Sequence, residues 1–369
     1  MPMSKTADFI RPHIRAMPAY EPILPFEVLS DKLGRPIEQI IKLDANENPY
    51  GPVPAVQEAL GNLPYPHIYP DPQSRSLRQA LAEYHDVDAE SILVGAGADE
   101  LIDLLMRLVL EPGDRILNCP PTFGMYAFDA DLNAAEVVTV PRNKDFSLDL
   151  VALKTAIEEQ QPRILFLANP NNPDGSLVTE ETIKELLNYP LLLVVDEAYV
   201  EFAKVGTSML GSVKEYDNLI VLRTFSKWAG LAGLRVGYGV FPNDLIEQLW
   251  KLKQPYNVSV AAAKAAEVSL KHAEQLEANG TRIIAERERL MTAFEKIDWL
   301  EPYPSQANFI LCKVTNGDAK QIKLQLEDKG ILIRYFNKPG LQDYIRMSVG
   351  KAEHTDALLE ALKELERVS

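Results

Sequence analysis

The chain of 369 residues has only two cysteines, Cys119 and Cys312, and five scattered histidines. That scarcity argues against a disulfide framework, and no histidine pair has the spacing that zinc ligation uses. Basic residues are also in short supply: 38 Lys and Arg face 53 Asp and Glu, a formal charge of -15. A nucleic-acid binder needs basic patches to neutralise phosphates, so this balance disfavours that class and leaves room for a local basic pocket around a small anion. No apolar run is long enough to span a bilayer, and Met1 to Asp8 lead into charged, proline-rich sequence without an apolar targeting core. A cytoplasmic location with no membrane partner is the expectation. There is no repeat and no low-complexity segment. What the chain does have is 46% hydrophobic and 25% charged residues, an ordinary balance for a folded protein, and a length that suggests two domains.

Residues 1–45 read as an arm, because prolines at 12, 18, 22, 25 and 36 interrupt any long helix. From Ile92 onward, short apolar runs alternate with helical periodicity. Strands are predicted at Ile92 to Val94, Arg115 to Asn118, Ala135 to Val140, Ile164 to Ala168, Leu191 to Val195, Leu219 to Leu222 and Val236 to Val240. Helices are predicted between them, at Phe123 to Asp131, Leu148 to Glu159 and Thr179 to Leu187. Such alternation predicts a mostly parallel sheet covered by helices. A long helical pattern from Ser259 to Phe294, with a break near Gly280, then links to a small α/β unit of strands at Asn308 to Val314, Ile331 to Arg334 and Tyr344 to Val349. The predicted division is an arm at 1–45, a large domain at 46–255 and a small domain at 256–369.

Sites in parallel sheets form beyond the carboxyl ends of the strands, and three polar clusters fall there: Asn171-Asn172-Pro173-Asp174-Gly175, Asp196-Glu197-Ala198-Tyr199 and Ser226-Lys227. Gly95-Ala96-Gly97-Ala98-Asp99-Glu100 adds a glycine turn between a strand and a helix, which offers backbone N–H groups to an anion. It departs from the dinucleotide fingerprint at Asp99 and Glu100. Taken together, Lys227, Asp196, Tyr199 and Arg235 supply what pyridoxal phosphate requires. It needs an amine for the aldehyde, a carboxylate for the pyridine nitrogen, a donor for the phenolic oxygen and a pocket for the phosphate.

On these motifs, with Leu43-Asp44-Ala45-Asn46-Glu47-Asn48-Pro49, Tyr69-Pro70-Asp71, Pro121-Thr122-Phe123-Gly124-Met125-Tyr126 and Arg346, the chain resembles the pyridoxal-phosphate-dependent aminotransferases of the aspartate aminotransferase fold. Within that family it looks most like the branch acting on histidinol phosphate. The resemblance implies an α/β fold: a large domain with a mostly parallel, predominantly seven-stranded sheet between helices, plus a small α/β domain and an N-terminal arm. It implies pyridoxal 5′-phosphate held covalently by Lys227, with Asp196 on the pyridine nitrogen and Tyr199 and Asn172 on the phenolic oxygen. Phe123 would stack on the ring. Ala98, Asp99, Thr224, Ser226 and Arg235 would hold the phosphate, with Tyr69 reaching in from the second subunit of a homodimer. Tyr20, Asn46, Asn172, Arg334 and Arg346 would bind substrate, and no metal is implied. The implied reaction exchanges an amino group between L-histidinol phosphate and 2-oxoglutarate in histidine biosynthesis. An aromatic aminotransferase and a phosphothreonine-type decarboxylase are alternatives. Three positions depart from the family pattern: Phe123 where tyrosine is usual, Asp174 where threonine is common, and a bulky Trp228 beside the lysine. Asp174 is expected to face solvent from its turn, and Trp228 to shape access.

Overall fold

The computed structural model describes residues 6–18 and 24–366, and the statements that follow are of those residues. The first strand, β1 (Ile41–Leu43), stands apart from the next seven: β2 (Ile92–Gly95), β3 (Arg115–Asn118), β4 (Glu136–Thr139), β5 (Ile164–Ala168), β6 (Leu192–Asp196), β7 (Leu219–Thr224) and β8 (Gly237–Val240). Those seven form one sheet in the order β2-β8-β7-β6-β5-β3-β4. Pairing from β4 through β7 is parallel, and β8 runs antiparallel to both of its neighbours. The mostly parallel, seven-stranded α/β architecture expected from the sequence is the one observed.

Helices cover both faces because parallel neighbours need crossover connections. Ahead of β2 come α1 (Pro12–Ala16), α2 (Phe26–Leu33), α3 (Pro54–Gly61) and α4 (Arg75–His85). Between strands lie α5 (Ala98–Val109), α6 (Met125–Leu132), α7 (Leu150–Gln160) and α8 (Glu180–Leu186). Side chains of Asp149 and Thr179 accept backbone N–H groups at the starts of α7 and α8, which fixes where those helices begin. Alternate residues of each strand enter different cores. Leu165, Leu193, Val195 and Val221 pack to one side. Phe166, Val194, Ile220 and Leu222 pack to the other with Tyr126. This alternation decides which way a residue at a strand end points.

After β8 come α9 (Asn243–Leu252), α10 (Val260–Lys271) and α11 (Ala273–Phe294). The linking helix breaks at His272, whose φ of -116° ends α10. Gly280, where the sequence pattern put the break, stays helical and buried inside α11. A second sheet then forms from β9 (Leu300–Pro302), β10 (Phe309–Val314), β11 (Ile331–Tyr335) and β12 (Tyr344–Ser348), in the order β1-β11-β12-β10-β9. It packs with α11, α12 (Ala319–Asp328) and α13 (Ala352–Glu366) around Phe294, Phe309, Leu326 and Leu358. Strand β1 pairs with β11 in parallel, Ile41 against Ile331. Leu29 of α2 packs with Ile40 and Leu332 against this sheet. The chain therefore leaves β1 at the edge of the second sheet and passes through Asp44 to Asn48 before the first sheet begins.

Candidate active site

Strand β6 ends on Asp196, which the alternation directs to the same side as Val194, Phe166 and Tyr126. Tyr126, stacked on Phe166 at 4.8 Å, donates its hydroxyl to Asp196 Oδ2 at 2.7 Å, and the backbone N–H of Ala198 donates to Oδ1 at 3.1 Å. No cation pairs with this carboxylate among the described residues. Burial pushes its pKa up to about 6, a rise that the two hydrogen bonds partly oppose. Next to β6 in the sheet, β7 ends on Thr224 and delivers Ser226 and Lys227 in the following turn. Lys227 Nζ donates to the carbonyl of Ala45 at 3.1 Å, so the residues between the two sheets reach the lysine. Burial first, and then the charge of Arg346, lower the Lys227 pKa to about 8.

Residues of the second sheet complete the group. Arg346, on β12, donates from Nη1 to Asn172 Oδ1 at 2.6 Å and from Nη2 to the carbonyl of Asp44 at 2.8 Å. Its buried Nε has no partner. Burial brings this guanidinium down to about 10, still charged at neutral pH, and nearby Arg334 pushes in the same direction. Arg334 is the cross-strand partner of Arg346, and both guanidinium groups lie over the Phe336 ring, at 5.9 and 5.7 Å. Tyr199 is buried edge-on against Phe309 and accepts a hydrogen bond from Asn46 Nδ2 at 3.1 Å. Asn46 is buried too, with a left-handed φ of 56° that asparagine tolerates.

An anion cradle lies at the start of α5. Gly97 has φ of +86°, and a Cβ there would sit 2.5 Å from Arg235 Nη2. Gly237 has the same property on the other flank, since its Cβ would sit 2.6 Å from the Ala98 backbone nitrogen. Only glycine lets the helix start, Arg235 and β8 approach this closely. Arg235 reaches Ser226 Oγ at 3.5 Å and forms an ion pair with Asp99 at 2.8 Å. Thr224 Oγ1 accepts the Ser226 N–H at 3.1 Å. The Asp99 carboxylate would repel an anion, so what it offers the cradle is its N–H and the placement of Arg235.

Asp196, Tyr199, Asn172, Asn46, Lys227, Arg346 and Arg334 thus meet between the sheets, beside the cradle of Ala98, Asp99, Thr224, Ser226 and Arg235. Phe123 lies near, edge-on to Tyr126 at 5.5 Å. Tyr69 is 78% exposed and stacks on Tyr256 at 4.6 Å. Tyr20 lies outside the described residues. Two expectations need correction. Asp174 is buried, accepting from the Asn171 amide and from the Ser176 N–H at 2.8 Å, because Ser305 closes over the adjacent Gly175. Trp228 is buried in the main core with Phe225 and Tyr238, and only its carbonyl turns back, to accept from Asn48 at 2.7 Å. The sequence reading gave no role to Tyr126 or Ser348. Tyr126 lies three residues after Phe123, close to one helical turn, and that spacing was the available signal.

Residues 38–364 match the family described as aminotransferase class I and II. The chain belongs to that family. This aminotransferase is 58% identical to the chloroplastic histidinol-phosphate aminotransferase of Nicotiana tabacum over 96% of its own length and 86% of the relative's. It is 52% identical to the histidinol-phosphate aminotransferase of Roseiflexus castenholzii, covering 99% of this chain and all of that one. Among solved structures it resembles the histidinol-phosphate aminotransferase of Sinorhizobium meliloti in complex with pyridoxal-5′-phosphate, with a TM-score of 0.89, 29% identity and 98% coverage of both chains. In sequence and in fold the chain is thus similar to proteins that carry this name.

Proposed function

We propose that this chain is a pyridoxal-5′-phosphate-dependent transaminase acting on L-histidinol phosphate and 2-oxoglutarate, giving imidazole acetol phosphate and L-glutamate in histidine biosynthesis. The observation that carries the reading is the pairing, at adjacent strand ends, of a buried carboxylate without a cation and a lysine of lowered pKa, beside a glycine-lined anion cradle. The residues fit the cofactor. Asp196 would hold the pyridine N–H, an ion pair that a dry site strengthens. Lys227 would hold the aldehyde carbon, Tyr199 and Asn172 the phenolic oxygen, and Phe123 one ring face. The Ala98 and Asp99 N–H groups, Thr224, Ser226 and Arg235 would hold the phosphate.

When bound, the cofactor supplies an aldehyde that takes the substrate amine and a protonated ring that withdraws electrons from the Cα–H bond. Lys227, freed when the substrate amine displaces it from the aldehyde carbon and neutral in an appreciable fraction near its pKa of about 8, would take the proton from the substrate Cα and return it on the cofactor side. Arg346 and Arg334 bind the anionic end of the substrate. A planar guanidinium suits both the glutamate carboxylate and the phosphate ester, and the second arginine favours the more highly charged group. Asn172, whose Oδ1 is occupied by Arg346, has its Nδ2 left for the phenolic oxygen.

Half-reactions of the loaded enzyme with histidinol phosphate, phenylalanine and glutamate, followed by cofactor absorbance, test the substrate. Histidinol phosphate is expected to outpace phenylalanine; the reverse order would favour the aromatic reading. Arg334→Ala is expected to slow the histidinol phosphate half-reaction more than the glutamate one, and equal losses would remove Arg334 from phosphate recognition. Lys227→Ala is expected to lose the absorbance band of covalently held cofactor and nearly all turnover.

The same proposal includes a homodimer in which Tyr69 completes the partner's phosphate site, supported by its exposure and its placement on a Tyr256 platform. It also includes the division into an arm at 1–45, a cofactor domain at 46–255 and a small domain at 256–369, supported by the two sheets, with β1 crossing to join the second. The described residues contain no helix long and apolar enough to cross a membrane. A cytoplasmic location is supported by two buried, unpaired cysteines, and cell fractionation tests it.

A further inference from the structure

Asn46 links Ser348 to Tyr199 through hydrogen bonds between the two sheets. Ser348 Oγ accepts the Asn46 backbone N–H at 2.9 Å and donates its single proton to Asn46 Oδ1 at 3.0 Å. The Asn46 carbonyl accepts from Asn308 Nδ2 at 2.9 Å, which anchors the backbone from a third direction. Asn46 and Ser348 are 1% and 2% exposed, leaving bulk water little access to either partner. With Oδ1 satisfied by the serine, the amide presents Nδ2 to Tyr199, which receives it at 3.1 Å. The phenol oxygen is therefore the acceptor in this contact and its own proton is unspent. Were the amide turned over, Oδ1 would face the phenol and take that proton.

We propose that Ser348 is a positioning residue: by fixing the Asn46 amide, it keeps the Tyr199 hydroxyl proton available for donation into the active site. This rests on the reading that Tyr199 faces the phenolic oxygen of the cofactor. Ser348 lies two residues from Arg346 on β12, so the strand that binds the substrate anion also sets the donor for the cofactor.

The test loads the full-length parent, Tyr199→Phe, Ser348→Ala and the double variant with pyridoxal 5′-phosphate and titrates the pH midpoint of the bound cofactor's visible absorption change. A hydroxyl donor at the phenolic oxygen favours the deprotonated form. Tyr199→Phe is therefore expected to raise the midpoint by about one unit, the size of one lost hydrogen bond. Ser348→Ala is expected to raise it by most of that amount, and to add nothing in the Tyr199→Phe background. Should Ser348→Ala fail to fold, Ser348→Cys keeps the shape with a weak donor and is expected to shift in the same direction. An unchanged midpoint in the serine variants alongside a raised one in Tyr199→Phe overturns the inference while leaving the reading of Tyr199 intact. So does a serine effect that persists in full without the tyrosine hydroxyl. If Tyr199→Phe itself leaves the midpoint where it was, the assignment of Tyr199 fails and the inference fails with it.

Discussion

At Asp196 and Lys227, burial acts in opposite directions on groups of opposite charge, raising the carboxyl to about 6 and lowering the amine to about 8. The Tyr126 hydroxyl makes the larger of the two hydrogen-bond contributions that keep Asp196 from rising further, so Tyr126→Phe should weaken cofactor affinity by about tenfold, measured by equilibrium titration of the unloaded protein. An unchanged affinity would show that the Ala198 N–H suffices. Arg346 acts on Lys227 through its charge. Arg346→Gln removes a nearby cation, so the lysine pKa should rise and the pH profile for covalent capture of the cofactor should move to the alkaline side; a profile that stays put sinks this coupling. Lys227 and Asp196 were legible in the sequence because reactive residue types directly follow apolar strand runs. Asp174 and Trp228 were misjudged because their surroundings include distant segments, Ser305 over the first and the Tyr84 ring 5.9 Å from the second.

The start of α5 is where backbone geometry, more than side chains, shapes the site. Gly97→Ala would combine a left-handed φ with a 2.5 Å approach to Arg235, and displacement of that guanidinium should weaken cofactor binding by about tenfold or more while the fold persists. Dialysis of the variant against the parent reads this directly. Helices α5 and α6 also meet around Asp129, whose carboxyl is raised to about 7 by burial and then by Asp103 and Asp99. A raised carboxyl favours the folded state at low pH, and that advantage is lost as the pH rises from the unfolded-state value to the folded one. Asp129→Asn should therefore raise the melting temperature more at pH 8 than at pH 5, the difference building between the ordinary carboxylate value and about 7, and an equal shift at both would discount ionisation as the cause. The longer strands were legible because their residues are apolar on both faces, as a parallel sheet demands. Strands β1 and β9 span three residues each, too short to carry a period of two, so the second sheet was read without its edges.

For the whole molecule, the dimer can be tested without seeing it. If Tyr69 serves the other subunit, Lys227→Ala and Tyr69→Ala are each impaired alone, yet a mixed dimer contains one site with both native residues. Equilibrated mixtures should recover about a quarter of parental activity, since half the dimers are mixed and each has one intact site. Recovery no better than the average of the two variants would place Tyr69 in its own subunit's chemistry or outside the chemistry altogether.

The partnership of Asn46 with Ser348 joins residues 302 apart in the chain. During synthesis on a ribosome, the segment that reaches Lys227 and Tyr199 emerges early and then waits for nearly the whole polypeptide before its partner strand exists. The seven-stranded sheet can assemble in that interval, but Asn46 lacks its Ser348 partner until β12 arrives. Nascent chains halted before Ser348 should therefore be folded in part with Asn46 not yet fixed, which delays completion of the site until synthesis is almost finished.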